Sequence, residues 1–97
     1  MTLDLNTVRS RRGEILRLAN RYGAYNVRVF GSVARGTAGP GSDLDVLVNF
    51  EPGRSLLDLV GFEQDLSELL GCKVDVVSEG GVSPYMDKHI LAQALAL

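Results

Sequence analysis

The sequence has little of several residue types on which common kinds of protein depend. It holds one cysteine, Cys72, and one histidine, His89, in 97 residues. A single cysteine excludes an intramolecular disulfide, and a lone histidine argues against a zinc site or a catalytic triad. Tryptophan is absent and no apolar run exceeds four residues, whereas a membrane span needs about 20 apolar residues.

The start of the chain lacks the basic patch and apolar block of a signal peptide, so we expect a protein of the reducing cytoplasm. Hydrophobic residues make up 45% and charged residues 23% of the chain, which is typical of a folded globular domain. We therefore expect residues 1–97 to form a single domain, without a separate substrate-binding domain. An acceptor of any reaction would then be presented by another molecule.

Charge is unevenly distributed, although the net charge is only −2. Residues 1–28 carry six arginines against two acids, and the remainder carries four basic residues against ten acids. This asymmetry indicates a basic face for an anionic partner, or simply solvated arginines on an amphipathic helix. No aromatic residues are interleaved with the arginines between Arg9 and Arg21 to stack bases, so we do not expect nucleic acid as a partner.

The hydrophobic pattern predicts alternating helices and strands. Helical segments are expected at residues 5–22, 33–36, 56–70 and 83–97, and strands at residues 27–30, 44–50 and 73–78. This order favours an α/β (α+β) fold in which helices pack on a small three-stranded mixed sheet. The short link between the first two strands predicts an antiparallel pair, and the crossover helix predicts that the second and third strands are parallel. The last helix is apolar on most of its surface, which fits packing on the sheet or contact with a partner.

Three aspartates fall where the predicted strands would bring them together. Asp43 and Asp45, at positions i and i+2, share one face of the second strand. Asp75 interrupts the apolar third strand and lies beside them if these strands pair. Close carboxylates repel unless a cation lies between them, and Mg²⁺ prefers oxygen ligands. Each aspartate alone could be surface charge, but together they predict a two-metal site for phosphoryl or nucleotidyl transfer, with all three as metal ligands and catalytic residues.

A glycine and a serine follow the first strand. Gly31 permits a tight turn, and Ser32 opens a helical turn whose free amides favour an anion. Arg35 lies one helical turn further on and can reach the same phosphates. Beside the aspartates, these residues predict a site for a nucleoside triphosphate with Mg²⁺.

The stretch from Gly31 to Val48, GSVARGTAGPGSDLDVLV, resembles the signature of the nucleotidyltransferase superfamily that includes DNA polymerase beta and kanamycin nucleotidyltransferase. The Ala-Arg-Gly after Gly-Ser and the serine at position 42 are similar to the minimal nucleotidyltransferases, the MNT antitoxin partners of HEPN ribonuclease toxins. With the third strand and the helices, the resemblance covers nearly the whole chain. The loop at residues 37–41 is richer in glycine and proline than in that group.

The resemblance implies ATP as the donor and two Mg²⁺ ions as cofactors. It places the three aspartates on the family's metal-binding carboxylates and Gly31 and Ser32 on its phosphate-binding turn; Arg35 and Ser42 are further candidates for nucleotide binding. In the antitoxin group AMP is transferred to a tyrosine hydroxyl of the toxin, so the resemblance implies a HEPN-type toxin as partner. Two alternatives stay open: a subunit that modifies a small molecule held by a separate subunit, and a non-catalytic antitoxin that neutralises by binding.

Overall fold

The structure is a computed structural model that describes residues 3–81 and 90–97. Within these residues, helices pack on a sheet of four strands. The elements are α1 Leu5–Ser10, α2 Arg12–Arg21, β1 Ala24–Phe30, α3 Gly31–Arg35, β2 Leu44–Phe50, α4 Leu56–Leu70, β3 Val74–Ser78, a 3₁₀ turn at Glu79–Gly81, helical residues 90–93 and β4 Leu95–Ala96. No helix of the described ranges combines the length and hydropathy that crossing a membrane requires.

The sheet has the strand order β3-β2-β1-β4. Strands β1 and β2 are antiparallel and β2 and β3 are parallel, which confirms both predicted pairings. Helix α4 forms the crossover between the parallel strands, as the sequence pattern predicts. The fourth strand pairs with β1 at the far edge, so the predicted count of three strands is one too low, while the mixed sheet and the fold class are confirmed.

The two faces of the sheet differ in what they carry. One face packs against α2 and α4 and forms the hydrophobic core, in which Ile15 and Ala19 of α2 and Phe62 and Leu66 of α4 meet the sheet valines. The opposite face carries the alternate residues of each strand, including Asp45. The alternation of β2 directs Leu44, Val46 and Val48 into the core and places Asp45 on the opposite face, together with the buried Leu47.

Helix α4 begins and ends where the sequence predicts. The Ser55 hydroxyl accepts a hydrogen bond from the Leu57 amide, and the Asp58 carboxylate accepts one from the Ser55 amide, so the helix begins with a capping box. Gly71 ends the helix in the left-handed conformation, at φ 68°. These local signals position the helix that precedes β3.

The predicted helix at residues 5–22 is two helices, α1 and α2, with a break at Arg11 (φ −103°, ψ 16°). Arg11 donates hydrogen bonds to both Glu14 oxygens, at 2.8 and 3.0 Å, and Asp4 caps α1 by accepting from the Thr7 amide. Arg12, the first residue of α2, is exposed and donates a hydrogen bond to the Leu97 carbonyl. The apolar spacing continues across the break, so periodicity alone predicts one helix.

The prediction that the last helix reaches the C-terminus is wrong. Residues 82–89, where its start was expected, lie outside the described residues. Helical residues end at position 93, and Leu95–Ala96 pair with β1. The Leu97 amide also donates to the Val27 carbonyl at 3.1 Å, so pairing with the sheet edge replaces the helical hydrogen bonds at this end.

Candidate active site

Asp45 and Asp75 are partners in the parallel pairing of β2 and β3. Asp43 directly precedes β2, two residues from Asp45 along the chain. Burial raises the pKa of the Asp45 carboxyl, and the charges of Asp75 and Asp43 raise this pKa further, while the charge of Arg35 acts in the opposite direction. The structure thus brings the three predicted carboxylates into one electrostatic unit, called the aspartate cluster (Asp43, Asp45 and Asp75) below.

The chemistry of the aspartate cluster fits a hard divalent cation. Its three carboxylates supply the oxygen ligands that Mg²⁺ prefers, and their mutual repulsion, which acts on the pKa of Asp45, is relieved by a cation. Among residues 3–81 and 90–97, however, no three His, Cys, Asp or Glu side chains are already gathered around one point that could hold an ion. The chemistry of the donor set fits the metal, although the described side chains do not form a preassembled ligand cage.

Gly31 forms the turn between β1 and α3 and lies directly against Asp45. Its backbone has φ +74°, a region that favours glycine. A Cβ atom at this position would collide with the Asp45 Oδ2 atom. The tight turn expected from the sequence is therefore present, and the absence of a side chain lets the backbone approach the aspartate cluster.

Ser32 and Arg35 lie in the short helix α3. No side chain caps the N-terminus of α3 in the part of the chain that the structure describes, so its first amides are available to an anion. The exposed Arg35 donates from Nη1 to the Gln93 Oε1 atom at 3.1 Å. Gln93 is a contact that sequence reasoning missed, because 58 residues separate it from Arg35.

Ser42 closes the loop that leads into Asp43. Its hydroxyl accepts a hydrogen bond from the Gly39 amide at 2.9 Å, and its own amide donates to the Gly39 carbonyl at 3.0 Å. These bonds fix the loop immediately before the aspartate cluster. A direct contact of Ser42 with a nucleotide stays a prediction.

Strand β3, which carries Asp75, is attached to α4 by two side chains that sequence reasoning missed. Glu63 Oε2 accepts a hydrogen bond from the Val76 amide at 2.8 Å, and Ser67 Oγ accepts one from the Val74 amide at 3.1 Å. Asp75 is therefore flanked by two anchored amides. The spacing of four residues between Glu63 and Ser67 was a signal that they share a face of α4, but it did not identify their partners.

The chain belongs to the nucleotidyltransferase domain family, which it matches over residues 13–95. It is 38% identical over 78 residues to protein adenylyltransferase MntA of Thermococcus cleftensis, a match that covers 80% of this chain and 79% of that protein. A solved structure assigned as a minimal nucleotidyltransferase is 52% identical, with a TM-score of 0.88, over 98% of this chain and 97% of the other. These likenesses confirm the predicted family and the predicted enzyme class, nucleotidyltransferase.

A more distant structure shares the fold. It is a chain of the complex between a tri-AMPylated Shewanella oneidensis HEPN toxin and an MNT antitoxin, 18% identical with a TM-score of 0.70. The match covers 91% of this chain and 69% of that one. At this identity the likeness shows the shared fold alone.

Proposed function

We propose that the chain transfers AMP from ATP to a tyrosine hydroxyl of a HEPN-type toxin and neutralises the toxin in this way. The observation that carries the proposal is the pairing of Asp45 with Asp75, with Asp43 beside them and the Gly31 turn against Asp45. A relative named protein adenylyltransferase supports the type of transfer. The complex that contains an AMPylated HEPN toxin supports the partner.

The aspartate cluster would hold the metal, as two Mg²⁺ ions. When bound, Mg²⁺ neutralises charge on the triphosphate and lowers the pKa of the acceptor hydroxyl. Asp43 and Asp45, which are two residues apart at the start of β2, bind and orient the donor nucleotide. Asp75 lies on the edge strand β3 and is our candidate to accept the proton of the acceptor hydroxyl.

The phosphate side of the site is formed by the turn into α3. The amides at the start of α3 and the Ser32 hydroxyl donate hydrogen bonds to phosphate oxygens. Because Gly31 has no side chain, the phosphates can lie close to Asp45. Arg35 adds a positive charge on the side towards which pyrophosphate leaves. Ser42 acts on the nucleotide by fixing the loop that leads into Asp43.

The proposal treats residues 1–97 as one minimal nucleotidyltransferase domain and takes the acceptor hydroxyl from a second protein. The test is to mix the chain with a purified HEPN-type toxin, with Mg²⁺ and ATP labelled at either the α- or the γ-phosphate. Label from the α-phosphate alone is expected on the partner. The double variant Asp43→Asn/Asp45→Asn should lose transfer by about 100-fold or more, because the charge stabilisation of the transition state is removed.

The control variant for this experiment is Glu68→Gln, which removes an exposed carboxylate from α4 and should transfer normally. If the chain binds the toxin tightly but leaves no label on it, the result would favour neutralisation of the toxin by binding alone. Label on a small molecule instead of the partner would favour the small-molecule alternative. Either result, or full activity of the double variant, would contradict the proposal.

A further inference from the structure

A lysine lies against the aspartate cluster. The Lys73 Nζ atom is 3.6 Å from the Asp43 Oδ2 atom. The backbone fixes this approach, because Val74 is paired with Leu44 in the parallel register and the Lys73 carbonyl accepts a hydrogen bond from the Leu44 amide at 3.0 Å. Lys73 and Asp43 are therefore held opposite each other at the beginning of their strands.

The contact joins two side chains that solvent can reach. The Lys73 side chain is 70% exposed and that of Asp43 is 39% exposed. An ammonium group on a flexible and exposed stem can leave its partner at little cost, since exposed ion pairs contribute weakly to stability. The contact therefore contributes little to the stability of the fold, and another cation can replace the ammonium on the Asp43 carboxylate.

The other basic groups of the described residues have different positions. The guanidinium of Arg35 is bound by Gln93, and most of the others bind carbonyls or carboxylates away from the cluster. Within the described part of the chain, Lys73 forms the ion pair with the cluster.

We propose that Lys73 is a placeholder cation for the metal site: its ammonium occupies the Asp43 carboxylate until a divalent cation takes that carboxylate. This inference rests on the proposed function, since it takes Asp43 as a metal ligand. A bare divalent cation has to displace the ammonium and is repelled by it, so Lys73 weakens binding of the bare ion. A cation that arrives with a triphosphate brings compensating negative charge, so Lys73 favours loading of metal and nucleotide together.

The test measures binding of Mn²⁺ alone to the whole chain by electron paramagnetic resonance, without nucleotide or turnover. Lys73→Met should bind Mn²⁺ about two- to fivefold more tightly than the wild-type chain at low salt, the range expected for an exposed pair. The difference should shrink at high salt, because salt screens exposed charges. Lys73→Arg, which retains the positive charge, should bind as the wild-type chain does.

The matched control is Arg17→Met, which removes the same unit charge from α2, where Arg17 lines a surface pocket together with Asp65 and Glu68 of α4. This variant should bind Mn²⁺ like the wild-type chain. An unchanged or weaker affinity of Lys73→Met, with Asp45→Asn still abolishing Mn²⁺ binding, would overturn the role of Lys73 and leave the metal site in place. Failure of the wild-type chain to bind Mn²⁺ any better than Asp45→Asn would overturn both the role of Lys73 and the proposed metal site.

Discussion

At the residue scale, Gly31 and Asp45 constrain each other. The turn at Gly31 has a positive φ, and the space that a side chain would need is filled by the Asp45 carboxylate. Asp45 in turn lies opposite Asp75 at the cost of like-charge repulsion. Both features are unfavourable for stability and are what a site that binds a phosphate and a cation requires.

Replacement of Gly31 by alanine tests the close approach. Gly31→Ala should reduce AMP transfer by at least about tenfold, because the new methyl group displaces the Asp45 carboxylate. Gly36→Ala is the matched control: Gly36 has φ +77° but no atom within 4 Å of the place of a Cβ. Both variants should lose about 1–2 kcal/mol of unfolding free energy from backbone strain, measured by urea denaturation. Equal transfer rates in the two variants would show that the contact with Asp45 is unimportant.

Replacement of Asp45 by asparagine tests the repulsion in the aspartate cluster. In the presence of a chelator, Asp45→Asn should increase the free energy of unfolding by about 0.2–1 kcal/mol, because like charges directly opposite on neighbouring strands are destabilising. Added Mg²⁺ should raise the melting temperature of the wild-type chain and leave that of Asp45→Asn nearly unchanged. The measurement is thermal denaturation followed by circular dichroism, with Glu68→Gln as control. A less stable Asp45→Asn variant would contradict this account.

At the element scale, α4 positions the strand that carries Asp75. It crosses over between β2 and β3, and its Glu63 and Ser67 side chains bind amides of β3. These amides lie on the edge strand of the sheet, where β3 has no further strand to pair with among the described residues. The helix thus supplies hydrogen-bond acceptors for the unpaired amides at this edge of the sheet, and it fixes the position of Asp75 at the same time.

Removal of one of these side chains should therefore affect stability and activity together. Glu63→Ala should lower the free energy of unfolding by about 1–3 kcal/mol, because the Val76 amide loses its acceptor. Hydrogen exchange at the Val76 amide should become faster, and AMP transfer should fall. The control is Gln64→Ala, at an exposed position on the same helix. It should leave the free energy of unfolding, the hydrogen exchange at Val76 and the rate of AMP transfer unchanged. Unchanged exchange at Val76 in Glu63→Ala would contradict the anchoring role.

At the scale of the whole molecule, the sequence predicts local features well and long-range contacts poorly. The turn at Gly31 and the capping box of α4 each follow from a few neighbouring residues. The parallel direction of β2 and β3 was predicted as well, because they are joined by a crossover helix, and Asp75 was expected beside the other aspartates if these strands pair; the register that pairs it with Asp45 comes from the structure. The resemblance carried by residues 31–48 gave the family.

The remaining features depend on contacts between distant parts of the chain. Strand β4 has only two residues, and it forms by pairing with the edge of β1. Such a pairing leaves no pattern in the local sequence. The bonds from Glu63 to Val76 and from Arg35 to Gln93 depend on how the elements pack. The contact of Lys73 with Asp43 likewise requires the register of β2 and β3. The break at Arg11 leaves the apolar spacing intact and is therefore invisible to periodicity.

The central claim, that the aspartate cluster transfers AMP to a hydroxyl of a HEPN-type toxin, is tested most directly by the intact mass of that partner. The partner is incubated with the chain, ATP and Mg²⁺. Its intact mass is then measured by mass spectrometry, and its ribonuclease activity is assayed. The account predicts that the partner gains the mass of AMP on tyrosine and loses ribonuclease activity in proportion, and that Asp45→Asn prevents both changes. A partner that is silenced without a change in mass, or modified equally well by Asp45→Asn, would contradict the claim.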